Sequence, residues 1–163
     1  MYRPTLGNIM KEAMFGAGCF WGVEQYFRQI DGVLVAEVGY SGGKTLNPTY
    51  KDVCTGRTGH AEVVHLTYDP DKVTYQELMD HFWKMHDPTT LNRQGLDVGT
   101  QYRSAIFYYD SEQRNLAKDS MRKVASKMQK AIVTEVSQAG EFWRAEEYHQ
   151  RYFEKNPGRG CHI

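Results

Sequence analysis

The spacing of apolar positions changes repeatedly along the chain, and each change marks an element. Residues 11–17 read as a short strand running into Ala17-Gly18. Beyond it, Phe20, Val23, Phe27 and Ile30 fall on one helical face, and Asp31-Gly32 stops that helix. Residues 33–40 read as a strand, 41–47 as a Gly-containing loop and 48–55 as a short helix closed by Gly56. Residues 61–68 form a strong strand pattern. Thr74-x-x-Glu77 is a capping box that opens a helix with Leu78, Phe82 and Met85 on one stripe. Residues 87–100 follow neither period. Residues 102–109 read as an aromatic strand, and 110–130 as a long helix with Leu116, Met121, Val124 and Met128 toward the core. A last strand is expected at 132–136 and a last helix at 146–155. Pro157, Gly158 and Gly160 interrupt any regular element after that, so 156–163 is expected to be a mobile, irregular tail. Strands and helices alternate without a linker or repeat. The pattern predicts one domain over 1–163, an α/β (α+β) sandwich on one mixed sheet.

Composition narrows the classes. A chain of 163 residues has room for one core. With 40% hydrophobic and 25% charged residues it is globular rather than disordered. Lys plus Arg number 20 and Asp plus Glu 20, so no basic excess points to nucleic acid or an anionic membrane surface. No apolar run approaches a membrane span, and residues 1–15 lack a signal-peptide core, which makes the cytoplasm the default location. Three cysteines cannot all pair within the chain. A structural disulfide framework is not expected, which leaves reactive, metal-bound or buried thiols.

The chemistry centres on Gly16-Ala17-Gly18-Cys19-Phe20-Trp21-Gly22, where a strand meets a helix. A thiol at a helix N-terminus faces the positive end of the dipole, which favours thiolate, and two aromatics after it can wall an apolar pocket. The alternative is a small buried Cys19 with Phe20 and Trp21 in the core. On the strand at 61–68, Glu62 shares a face with Val64, Leu66 and Tyr68. A carboxyl on that face is expected to be desolvated and to act as a proton donor, unless it frays into water. Asp97-Val98-Gly99-Thr100-Gln101-Tyr102-Arg103 is a polar, Gly-bearing loop leading into a strand, where sites tend to form, or an ordinary turn. His60, His65, His86 and His149 have no metal spacing with a cysteine and read as surface or satisfied histidines. On the residues alone three classes stand: a thiol oxidoreductase, a thiol hydrolase pairing Cys19 with a histidine base, and a metal-binding or redox-sensing module built on Cys54, Cys161 and His162.

Taken together, these stretches resemble type A peptide methionine sulfoxide reductases, specific for the S epimer. The resemblance runs through Gly18-Cys19-Phe20-Trp21-Gly22, Gly39-Tyr40-Ser41-Gly42-Gly43, Asn47-Pro48-Thr49-Tyr50 and Thr58-Gly59-His60-Ala61-Glu62. It continues in Tyr68-Asp69-Pro70, Gly99-Thr100-Gln101-Tyr102-Arg103-Ser104, Glu146-Glu147-Tyr148-His149-Gln150 and Lys155-Asn156-Pro157. It implies a two-layer sandwich related to the ferredoxin-like plait, no metal and no organic cofactor. It makes Cys19 the nucleophile, Phe20 and Trp21 the pocket for the substrate's S-methyl group, and Glu62 the buried acid. Tyr50 and Tyr102 would bind the sulfoxide oxygen, with Asp97 a polar residue of the same site. Substrates would be oxidised proteins or free methionine sulfoxide, the reductant thioredoxin, and the enzyme a monomer in protein repair. Cys161 matches the first of two tail cysteines that many members carry. It would resolve a Cys19 sulfenic acid as a Cys19–Cys161 disulfide, and the further relay to a second tail cysteine is expected to be absent. Cys54, in the helix at 48–55, is expected to be packed and to stay free of that disulfide.

Overall fold

A computed structural model describes residues 9–158. Its frame is set by three apolar strands. Strand β1 (Lys11–Ala17) and β3 (Ala61–Tyr68) are buried along almost their whole length, and both faces of each carry apolar side chains. They pair antiparallel, and β2 (Val33–Ser41) pairs antiparallel with the other edge of β3. Three further strands extend the sheet: β6 (Ser104–Tyr108) beside β1, β7 (Glu135–Gln138) parallel to β6, and β8 (Trp143–Arg144) on β2. The order is β7-β6-β1-β3-β2-β8, a mixed sheet of six strands. A two-stranded hairpin, β4 (Arg93–Gln94) and β5 (Asp97–Val98), stands apart from it.

Helices α1 (Phe20–Arg28), α3 (Tyr75–Met85) and α4 (Ser111–Ala125) share one face of the sheet with a common core. Within it Phe15 stacks on Phe27 at 5.4 Å and on Phe82 at 5.2 Å, joining the central strand to two helices. The run β1-α1-β2-β3-α3-β6, with β6-β1-β3-β2 adjacent, is the ferredoxin-like βαββαβ arrangement. On the opposite face Met14, Ala61, Val63, Ala105 and Phe107 are covered by Tyr109, Ala139 and Phe142 instead of helices. Two short helices complete the chain, α2 (Tyr50–Cys54) and α5 (Tyr152–Lys155).

Local signals explain several ends. Thr74 and Glu77 form the expected reciprocal capping box, and Thr49 with Asp52 forms a second one at α2. Elsewhere the elements depart from the apolar pattern. Helix α4 ends at Ala125, not near 130, because the polar residues that follow bury nothing, and Met128 stays 36% exposed. The strand expected at 132–136 begins at Glu135, where parallel pairing with β6 selects it, and β8 follows it in the chain. Residues 146–155 do not form one helix. Glu147–His149 is a 3₁₀ turn, and Arg151 adopts φ +54°. That left-handed residue is held from afar, since its N–H donates to both carboxylate oxygens of Glu24 at 2.9 and 3.1 Å. Residues 87–100 are not wholly irregular, because Gly95 at φ +59° turns the chain into the β4–β5 hairpin. Of the tail expected at 156–163, the stretch containing Cys161 and His162 lies outside the described residues.

His86 fastens the sheet to α3. Its Nδ1–H donates to Phe82 O at 2.6 Å, and its Nε2 accepts from Ser104 Oγ at 2.7 Å. Burial pushes this imidazole from 6.5 down to about 4. Between those values the unfolded chain binds the extra proton and the folded chain does not. Stability is therefore expected to fall as pH drops from about 6.5 toward 4, with a steeper slope than in His86→Gln, measured by urea melts at each pH. Phe15→Ala is expected to cost about 3–5 kcal/mol in the same melts at neutral pH, because the vacated volume lies between helices that cannot collapse onto it.

Candidate active site

The site begins where β1 ends. Gly18 takes φ +97°, and a Cβ there would lie 2.8–2.9 Å from the Gln94 side chain. Only glycine allows that turn together with that approach. The turn puts Cys19 at the N-cap of α1, half-buried, with its carbonyl already accepting from Val23 N–H. No acidic side chain sits in the first turn of α1. Its first N–H, on Phe20, donates instead to Glu62 Oε1 from β3 at 3.1 Å. Glu62 thus serves as a cap from another element, with 1% exposure, one residue from the thiol. The alternative of a Glu62 fraying into water is overturned. Its strand position lies opposite Tyr40 in the β2–β3 ladder.

The aromatics after Cys19 divide. Phe20 is buried against Tyr40 at 5.7 Å, His149 at 5.1 Å and Tyr50 at 6.4 Å. Trp21 is half-buried, and its indole is fixed twice. It stacks on Tyr152 at 3.7 Å and 5°, and its Nε1–H donates to His149 Nδ1 at 2.9 Å. An indole N–H only donates, so His149 Nδ1 is the acceptor and the neutral ring carries its proton on Nε2. Burial pushes the His149 imidazole down, against the pull of Glu146, and favours that neutral form.

Tyr50 opens α2, and its N–H donates to Glu146 Oε2 at 2.9 Å, while Tyr40 donates its hydroxyl to Glu146 Oε1 at 2.8 Å. Burial opposes the charge of Glu146, but these donors outweigh it and hold the carboxyl below its usual range. Tyr102 closes a 3₁₀ turn before β6. Burial first, then the charge of Glu62, raises the hydroxyls of both Tyr50 and Tyr102 far above neutral pH, so both stay donors. Asp97 on β5 adds to that shift at Tyr102. Its strand partner Gln94 turns inward and clasps Asp87, accepting from its N–H at 2.9 Å and donating to its carbonyl at 2.8 Å. The structure therefore gathers Cys19, Phe20, Trp21, Tyr50, Glu62, Asp97 and Tyr102 around one strand–helix junction.

Cys54 departs from expectation. It is the last residue of α2 and exposed, and it is hydrogen-bonded to the Tyr50 side chain. Burial of its sulfur raises the thiol above its usual value. Among the described residues, no group of three or more His, Cys, Asp or Glu is placed to hold a metal ion. No helix among them is long and apolar enough to cross a membrane. Glu146 and His149 were not singled out as site residues from the sequence. Their partners lie 96 to 128 positions away, a relation that no local pattern carries.

The model of the family "Peptide methionine sulfoxide reductase" matches residues 11–163. The chain belongs to the peptide methionine sulfoxide reductase family. Its activity is accordingly the thiol-dependent reduction of methionine sulfoxide, an oxidoreductase reaction. MsrA of Methanothermobacter thermautotrophicus is 59% identical over 155 residues, covering 94% of this chain and 92% of that protein. The reduced form of Mxr1 from Saccharomyces cerevisiae superposes with a TM-score of 0.90 at 35% identity, over 98% of this chain and 92% of that one. Mxr1 in complex with Trx2 gives 0.65 at 26% identity, over 93% and 90%. The expected fold, a ferredoxin-like plait on a mixed sheet, agrees with these reductase structures.

His149→Leu strands the Trp21 N–H in a half-buried place. The variant is expected to lose about 1–3 kcal/mol in a denaturant melt, and His149→Asn to lose less, because its amide oxygen can stand where Nδ1 stood.

Proposed function

We propose that Cys19 is the nucleophile that reduces methionine (S)-sulfoxide, free and in proteins. The hydrogen bond from Phe20 N–H to Glu62 carries this reading, because it sets a buried carboxyl beside a thiol at a helix N-terminus. A hydrolase would need a histidine within reach of that thiol. The buried histidines are otherwise engaged: His86 holds Phe82 and Ser104, His60 holds Gly43 and Thr45, and His149 accepts from Trp21 at Nδ1, so its Nε2 carries the proton and has no lone pair to act as a base.

In the first step the Cys19 thiolate attacks the electrophilic sulfur of the sulfoxide. The oxygen is a poor leaving group until protonated, and Glu62 supplies the proton. Charge is costly to bury, which suits this carboxyl to carrying one. Tyr50 and Tyr102 donate hydrogen bonds to the oxygen, with Asp97 beside Tyr102 as a polar neighbour. Phe20 and Trp21 wall the space for the S-methyl group. Attack joins the two sulfurs and the protonated oxygen leaves as water; water then adds to the Cys19 sulfur as the sulfur–sulfur bond breaks, so that methionine leaves and Cys19 is a sulfenic acid. Cys161 then condenses with that acid, releasing water and forming a Cys19–Cys161 disulfide. A dithiol such as thioredoxin reduces the disulfide by exchange. The Mxr1–Trx2 complex of a relative supports that reductant. We place the enzyme in the cytoplasm, where thiols are kept reduced, acting as a monomer, with no metal or organic cofactor, on oxidised proteins rather than nucleic acid or membranes.

Glu62→Gln is expected to fold and to lower the single-turnover rate of methionine release by about 10²–10⁴-fold, since the amide cannot transfer a proton. Unchanged release would end the acid assignment. Cys161→Ser is expected to release one methionine per enzyme and then stall with thioredoxin as sole reductant. Peptide mapping of wild-type enzyme after one turnover is expected to show Cys19 linked to Cys161 and Cys54 unlinked. Thioredoxin-driven cycling that survives Cys161→Ser and fails in Cys54→Ser would reverse the two thiols.

A further inference from the structure

The hairpin beside Cys19 has two unlike faces. Gln94 and Asp97 form one cross-strand pair; Gln94 is buried against Gly18, and Asp97 lies near Tyr102. Arg93 and Val98 form the other pair and stand outside. Val98 is 67% exposed, Leu96 at the turn 78%, and Leu91 just before the hairpin 67%. Single exposed apolar residues need no explanation, but three within eight positions, on a short segment packed against a reactive centre, do. Nor is the segment loose. Gln94 clasps Asp87, Gly99 N–H donates to Asn92 O at 2.9 Å, and Arg93 donates to Gly95 O at 3.0 Å. The apolar side chains are presented on a braced frame. On the side of Tyr50, Tyr148 is 56% exposed and lies tilted against His149, ring centroids 4.0 Å apart.

We propose that Leu91, Leu96 and Val98, with Tyr148 on the far side, form a rim that binds apolar residues flanking an oxidised methionine in an extended polypeptide. This deepens the proposed function and rests on Cys19 being the nucleophile. A methionine sulfoxide side chain that reaches Cys19 brings its own backbone to the mouth of the site. Neighbouring residues follow at about 3.3–3.6 Å each, so the next one or two pass over the hairpin. Methionine belongs mostly to apolar surroundings, and oxidation makes it polar and disrupts the core or interface that held it. The polypeptides most in need of repair therefore offer apolar neighbours that have lost their cover. Burial of apolar area supplies the discrimination, with Arg93 the charged residue on the same outer face of the hairpin.

The test uses the full-length enzyme with dithiothreitol, so that no protein reductant docks. Two blocked pentapeptides are compared, one with Leu and one with Ser on both sides of methionine (S)-sulfoxide, beside free methionine sulfoxide. Wild type is expected to favour the Leu peptide by about tenfold in kcat/KM, mostly through KM. The double variant Leu96→Ser, Val98→Ser is expected to bring that ratio close to one while still reducing free methionine sulfoxide. Leu91→Ser, outside the hairpin strands, provides a second variant, and thermal melts check the fold of each. A wild-type ratio near one, or a ratio untouched by the variants, overturns the rim. A parallel assay of the same variants with thioredoxin as reductant completes the test: a defect that appears only there, as a raised KM for thioredoxin, also overturns the rim and assigns the surface to the reductant. No reduction of any sulfoxide by wild type would fail the Cys19 reading itself.

Discussion

The hydrogen bond from the first N–H of α1 to Glu62 is the constraint on which the site depends. A helix begins with N–H groups that have no partner in their own turn, and burial makes that costly. Here the first of them, on Phe20, is met by the carboxyl group of Glu62 from β3, which pairs with the strand that leads into the helix. One bond thus does two things. It stabilises the start of α1, and it holds a carboxyl next to the residue at the N-cap, Cys19. The positive φ of Gly18 is the condition for both, since any side chain there meets Gln94.

A second set of long-range bonds shapes the aromatic side of the site. The segment from Ala145 to Tyr152 crosses β2 and α1 with few regular hydrogen bonds of its own. Gln150 supplies them, accepting from Val38 N–H and donating to the carbonyls of Val38 and Ala145. Glu146 gathers Tyr40 and the start of α2, and Glu24 catches the N–H of Arg151. With the segment pinned, His149 and Tyr152 reach Trp21 from two directions. The buried carboxylates and amide are each answered by several donors or acceptors, which is the condition under which polar groups can be buried without net loss.

Much of the fold was legible from periodicity. The strands at 11–17 and 61–68, the capping box at Thr74 and the helix face of Phe20, Val23 and Phe27 all appear in the structure. These are local patterns, and apolar spacing reports them directly. The hairpin at 93–98 and the broken helix after Glu146 did not show in that pattern. Both turn on residues with positive φ, Gly95 in the hairpin and Arg151 in the broken helix, and Arg151 is held by Glu24 from 127 positions away. In the site, Cys19 stood out because glycines and aromatics surround it. Glu62 stood out because a carboxyl interrupts an apolar strand face. The packing of His149 against Trp21 and the exposure of Cys54 did not show, because burial and exposure at single positions depend on what the rest of the chain lays over them.

The sequence by itself determined the class of fold, the family and the identity of the residues with chemistry to offer. Alternation, caps and turn residues act within a few positions of themselves, so they can be read one segment at a time. Only the tertiary structure decided which of those residues meet. It brought Glu62 to the first N–H of α1, set His149 against Trp21, left Cys54 at the surface beside Tyr50 and placed an apolar hairpin tip next to the thiol's strand–helix turn. The physical reason is the same in each case: a hydrogen bond between residues 42 or 128 positions apart exists only after the sheet has formed, and its energy depends on the burial that the sheet creates.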